Sequence, residues 1–209
     1  MTPSIRALAL ALALGASSLG AGCTLSATGA RAPAMYRLLP VPLVVPVANV
    51  HPVVIRLLTV GAGPGLGGTA MLYSSRPGRI EPYRDSRWVA PPADLIGAAI
   101  AQTLSRQSWV SAVEQATPLA PADWTVHCDL VRFEHDVFAD RGVVHLDLTC
   151  QIVHASTRRV FAHWRVDGQQ AIAVNDAPHY AQAAQSLLQR AVSQIVTEVG
   201  RAVSHDVGS

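Results

Sequence analysis

The stretch that decides the fold is Val143-Val144-His145-Leu146-Asp147-Leu148-Thr149-Cys150-Gln151-Ile152-Val153-His154. Val144, Leu146, Leu148, Cys150 and Ile152 recur at every second position, the period of a strand with one buried face and one polar face. The segments on either side read alike. Residues 124–138 and 159–167 are also strand patterns, joined to the central one by turns at 139–142 and 156–158, so the three form an antiparallel meander. In the third, Val160, Ala162, Trp164 and Val166 alternate inward. A sheet with one apolar face needs a cover. Residues 177–203 provide it, with Tyr180, Ala184, Leu187, Leu188, Ala191, Ile195 and Val199 at helical spacing and Asn175 or Asp176 as the cap.

Upstream, residues 53–60 form a β-branched run and 35–39 a short first strand. Prolines 40, 42 and 46 lie between them; proline cannot donate to a ladder, so 40–52 reads as an extended connection. Residues 71–75 and 79–83 flank Pro77-Gly78 as a hairpin, with Pro82 marking an edge or a bulge. A helix over 93–104 follows Pro91-Pro92, with Leu95, Ile96, Ala99, Ile100, Thr103 and Leu104 on one face. The expected fold is therefore α+β: a mainly antiparallel sheet ending in a three-stranded meander, one face covered by two helices.

The first 33 residues carry a different signal. Arg6, an apolar run over 7–14 and small residues up to Gly22 make a secretory leader, too short to span a bilayer. It ends in Leu19-Gly20-Ala21-Gly22-Cys23, where a bacterial lipoprotein would be cut and lipidated, with the leucine one place further from the cysteine than usual. Cys23 is the expected lipidation site; ordinary cleavage near Ala21 or Gly22 and an uncleaved anchor are the alternatives. The expected organisation is a signal peptide at 1–22, a lipid-anchored tether at 23–33, small and polar in composition, and one domain over 34–209.

Charge names no partner. There are 16 basic residues, all arginine, against 14 acidic ones, with no basic run of the kind that binds nucleic acid. Gly63, Gly65 and Gly68 form a G-x-G-x-x-G, but a dinucleotide site needs a helix next, and Thr69 to Tyr73 reads as strand. His127, His145 and His163 fall one on each meander strand, on the polar face, where exposed histidines are the simpler reading than a zinc site. Neither H-E-x-x-H nor G-x-S-x-G occurs, and no constellation points to catalysis, to a metal or to a cofactor. Cys128 and Cys150 both face inward. The inward register of the first meander strand changes near Leu130-Val131, which predicts a bulge. One extra residue there makes Cys150 a diagonal neighbour of Cys128, leaving both a disulfide and two buried thiols open.

The order of elements resembles the auxiliary lipoproteins of MCE-type ABC lipid transporters, the PqiC-like family. The likeness is carried by Tyr36-Arg37-Leu38, Gly63-Pro64-Gly65-Leu66, Met71 to Arg76, Ile80-Glu81-Pro82-Tyr83 and above all Arg87-Trp88-Val89-Ala90-Pro91-Pro92 running into Leu95-Ile96. The resemblance implies a non-enzymatic periplasmic component tethered by lipid, directed to the outer membrane. Its implied partner is the MCE-domain protein of a transporter for lipid or another hydrophobic molecule, and self-association as a homo-oligomer is open to it. Tyr73, Tyr83, Arg87 and Trp88 are the expected partner-facing residues, since Tyr, Trp and Arg anchor interfaces; Trp88 closing the core is the alternative. A contrasting reading is a stand-alone periplasmic binding module or metal-dependent enzyme using the histidine-bearing sheet face.

Overall fold

This computed structural model describes residues 32–47, 51–115, 117, 119–138 and 141–206. The expected signal peptide, Cys23 and the tether up to residue 31 lie outside the described residues. Within them, in chain order, are β1 (Ala34–Tyr36), β2 (Val53–Leu57), β3 (Gly61–Ala62), β4 (Ala70–Arg76) and β5 (Arg79–Trp88). Then follow α1 (Pro92–Leu104), β6 (Val110–Glu114), β7 (Trp124–Asp136), β8 (Gly142–His154), β9 (Val160–Ile172) and α2 (Ala177–Asp206).

β7 organises the sheet. Along one edge it pairs antiparallel with β8, which pairs antiparallel with β9, giving the expected meander. Along its other edge lie β2, β3 and β4 end to end, all parallel to it: Ile55 faces Trp124, Gly61 faces Asp129 and Tyr73 faces His135. β5 completes the hairpin with β4, β1 adds in parallel to β5, and β6 adds in parallel to β2. The sheet is thus mixed. Its long ladders are antiparallel, and the short N-terminal strands attach in parallel.

The bulge in β7 falls where the pattern places it. Register shifts between Leu130 and Arg132, leaving Val131 as the extra residue, 54% exposed. Before it Trp124, Val126, Cys128 and Leu130 are buried; after it Phe133 and His135 are. The glycine-rich segment serves this strand. A side chain on Gly61 would collide with the Asp129 carboxylate, and a Cβ on Gly63 would lie 3.0 Å from the Leu130 carbonyl. Those glycines let the backbone pass close to β7 beside the bulge, and strand β4 follows them, so no helix N-terminus faces the loop.

Both helices cover one face, α2 against β8 and β9 and α1 against β6 and β7, and they touch each other. α1 begins with proline in its first turn and buries Ala93, Ile96, Ala99, Ile100, Thr103 and Leu104. The α2 cap is Asp176, whose carboxylate accepts the His179 backbone N–H at 2.9 Å. Every α2 residue expected inside is buried. Each large apolar side chain so placed contributes about 1.5–3 kcal/mol, and cutting Leu188 to alanine would cost about 2–5 kcal/mol.

The proline-rich connection is a strap over the helices. Leu38 and Val41 are buried, and Leu43, Val45 and Val47 pack against the core. Side chains stand in for a ladder: Gln107 accepts the Val45 N–H at 2.7 Å and donates to the Leu43 carbonyl at 2.8 Å, while Trp109 Nε1 donates to the Val45 carbonyl at 2.8 Å. Gln185 does the same for both backbone groups of Leu39.

Candidate functional site

The β4–β5 hairpin, the end of β7 and the start of α2 meet at one end of the sheet, and aromatic side chains collect there. Tyr73 lies opposite Glu81 on β5 and His135 on β7. Its ring is 5.0 Å from that of Tyr83, tilted by 58°. The Tyr83 hydroxyl is 2.8 Å from Nδ1 of His135, a fully buried histidine on the inward face of β7. Beneath them Tyr180 donates to the Phe133 carbonyl at 3.3 Å, and Trp88 packs 5.4 Å from Phe133 and edge-on to Tyr180 at 5.5 Å.

Burial keeps this cluster neutral. Desolvation is the main cause holding His135 below the ordinary imidazole range, opposed only in part by the Asn175 side chain and the charges of Asp136 and Asp176. Desolvation likewise pushes Tyr83 up to about 12, with Asp176 and Tyr73 adding to it, and holds Tyr180 well above the ordinary phenol range. A neutral His135 accepting from Tyr83 at Nδ1 carries its proton on Nε2, a tautomer assigned from the network. That Nε2 is buried without a well-aligned partner, although Asn175 Oδ1 is close by, across Gly142. The phenol and imidazole therefore form a fixed wall, with neither poised to ionise near neutrality.

Above the wall is an open groove of about 570 Å³ lined by Tyr73, Pro82, Tyr83, Arg84, Val137 and Asn175. Phe138 and Val174, next in the chain to two of its lining residues, are 52% and 48% exposed. The expected partner-facing residues divide here. Tyr73 and Tyr83 line the groove, while Arg87 folds back along β5 and donates to the Tyr83 carbonyl at 2.9 Å. Trp88 has no exposed surface; its place is in the core beneath the groove, because β5 turns it toward Phe133 and α2. Arg84, Val137 and Asn175 were missed, since only the convergence of three distant segments brings them together.

The other sheet face carries charge. Arg132 binds Glu134 at 2.6 Å and Asp136 at 2.9 Å, and lies 3.1 Å from His145 Nδ1, whose Nε2 meets the same Asp136 oxygen at 2.9 Å. Partial burial opposes the guanidinium charge, but Glu134 and then Asp136 outweigh it and raise its pKa. The three meander histidines do not converge. His127 and His163 both flank Gln151, which puts them two strand spacings or about 10 Å apart. His145 lies six positions along β8 from Gln151, about 20 Å away. Among the described residues no group of three metal-ligating side chains forms a site. Nor is any helix among them long and apolar enough to cross a membrane.

Cys128 and Cys150 are direct partners across β7 and β8 and are joined by a disulfide. The diagonal placement expected from the sequence is corrected: β7 ends at Asp136, opposite Val143, so the connection is longer than a 139–142 turn, and the bulge at Val131, between that connection and Cys128, then brings Cys128 directly opposite Cys150.

Among solved structures, protein XCC0632 from Xanthomonas campestris superposes with a TM-score of 0.74 at 17% identity, covering 84% of this chain and 99% of that one. An uncharacterised protein of known structure follows at 0.63 and 12% identity, covering 80% and 99%. These likenesses show a shared fold. No curated protein matches the chain. Residues 36–196, from the first strand to within α2, match the model of one family, and on that match the chain belongs to the ABC-type transport auxiliary lipoprotein components.

Proposed function

We propose that this chain is the lipid-anchored, non-enzymatic partner-binding component of an MCE-type ABC transport system that moves lipid or another hydrophobic molecule between membranes. A signal peptide at 1–22 directs export, Cys23 carries the lipid, and a tether at 23–33 holds the domain in the periplasm at the outer membrane. Multi-chain lipidation would keep it there, each buried methylene adding about 0.8 kcal/mol. The observation that carries the reading is the family match over residues 36–196. The groove supports it: tyrosine rings held from behind by a buried histidine and a third tyrosine present a rigid amphipathic surface at low entropic cost, as an interface anchor does.

The test is recovery of partners from detergent-solubilised membranes. The reading expects an MCE-domain protein to co-purify with the wild-type chain, and Cys23→Ser to release the chain from the membrane fraction. A chain that stays in the membrane without Cys23, or that recovers no MCE-domain protein, would count against it.

A further inference from the structure

We infer that the chain pairs with a second copy of itself through the free edge of β9, in an antiparallel register centred on Val166. Hydrogen-bond parity fixes which groups that edge offers. On β7, Val126 and Leu130 give their carbonyls to Leu58 and Gly63, both at 2.9 Å, away from β8. Their even-numbered partners on β8 therefore bond toward β9, where Cys150 meets Trp164 and Leu148 meets Val166. Odd-numbered residues of β9 then point their N–H and C=O groups outward. Two contacts agree with this: Gln194 donates to the Arg165 carbonyl at 3.5 Å and Arg190 to the Gln169 carbonyl at 3.3 Å.

An unpaired edge of this length is a template for another strand. β9 runs for 13 residues without proline, whereas the other edge strands, β1 and β6, have three and five. The two covering contacts from α2 are long for hydrogen bonds, and Arg190 and Gln194 are exposed, so both can swing aside.

Charge selects the occupant. Asp167 lies directly opposite Asp147 on β8, is exposed, and has no ion-pair partner among the described residues, because Arg165 is engaged by Asp147 at 3.1 Å. Like charges in direct opposition are unfavourable. When two β9 strands run antiparallel about Val166, Arg165 of each copy falls opposite Asp167 of the other, and His163 opposite Gln169. All four are odd-numbered, so they are also the hydrogen-bonding positions. The dyad thus supplies two ion pairs and relieves the Asp147–Asp167 opposition twice. Phe161, the bulged residue of this ladder, lies outside the paired stretch. The contact is isologous and closes as a two-fold dimer, which can itself be a unit of a larger assembly.

The test uses the full lipoprotein extracted from membranes in mild detergent, with mass read by light scattering. The wild type is expected as a dimer or an even multiple of it. Arg165→Asp or Asp167→Arg alone opposes like charges across the dyad and should weaken self-association about tenfold or more. The double reversal restores complementarity and should restore the dimer. A Val166→Cys variant, which changes no charge, should cross-link copies to dimers on oxidation in intact envelopes. A monomeric wild type, self-association unchanged by either single reversal, a double reversal no better than the singles, or no cross-link from Val166→Cys would each overturn the proposal.

Discussion

Cys128 on β7 and Cys150 on β8 face each other with Cα atoms 4.1 Å apart and their sulfurs bonded. They form a non-hydrogen-bonded pair, since the neighbouring even residues of β7 bond toward β2 and β3, and such pairs approach to about 4.5 Å. The bond closes a loop of sequence separation 22, for which the chain-entropy model gives about 3 kcal/mol. Reductant, or the double substitution Cys128→Ala and Cys150→Ala, should lower the urea midpoint accordingly. An unmoved midpoint in both would show that the link contributes nothing.

His135 predicts how stability depends on pH. Its folded pKa is held below 6.5 by burial, whereas the unfolded chain regains a value near 6.5. The unfolded state therefore binds the proton more readily. This contribution is complete above about pH 6.5 and is lost as pH falls below it, levelling off once the folded group also titrates. Urea melts in that window should show wild-type stability rising with pH. His135→Gln should flatten the dependence, and a profile of unchanged slope would assign it to other groups.

Gly142 is required beside that histidine. A Cβ there would collide with both His135 Nε2 and Asn175 Oδ1. Gly142→Ala should destabilise by about 1–3 kcal/mol through overpacking. Pairing it with His135→Ala should recover part of the loss. Thermal melts of the two variants decide whether the crowding is local to this contact.

The meander, both helices and the β4–β5 hairpin were readable because a local period runs through most of each, interrupted in the strands by bulges such as that at Val131. What escaped was non-local. β6 is a five-residue strand that pairs, among the described residues, with β2 alone, and nothing within Val110 to Glu114 distinguishes it from a loop. The parallel attachment of β2, β3 and β4 to β7 depends on where the glycine segment passes the bulge, which alternation along one strand does not encode. Bulge and cysteines are both legible, yet β7 ends at Asp136 rather than Phe138, and that length of the connection to β8, together with the bulge, decides whether the sulfurs meet directly. At the groove, the tyrosines were expected. Their setting depends on His135, which the bulge at Val131 turns from the polar face to the core.

Arg132 should be the least replaceable charge on the open face. Glu134 and Asp136 are mostly buried, with 14% and 13% of their side chains exposed, and both take hydrogen bonds from Arg132. Arg132→Met keeps the bulk but strands Glu134 and leaves Asp136 with His145 alone, which should cost about 1–3 kcal/mol. Arg132→Lys retains charge but not the fork that reaches both, and should fall between. Raising salt should shrink the difference between Lys and Met only modestly, because the carboxylates are shielded from solvent.

The groove can be tested apart from the fold, because its two tyrosines are held differently. Tyr83 is half-buried and bonded to His135, so Tyr83→Phe should cost about 1 kcal/mol of stability yet keep the ring that faces the groove. Among the described residues the Tyr73 side chain makes no hydrogen bond and touches the Tyr83 ring, so Tyr73→Ala opens the groove wall at modest cost to the core. If this surface holds the transport partner, Tyr73→Ala should reduce recovery of the MCE-domain protein about tenfold or more, the scale of an interface anchor. Tyr83→Phe should leave recovery near wild type while lowering the melting temperature. Equal recovery from Tyr73→Ala and wild-type membranes would move the docking surface elsewhere on the domain.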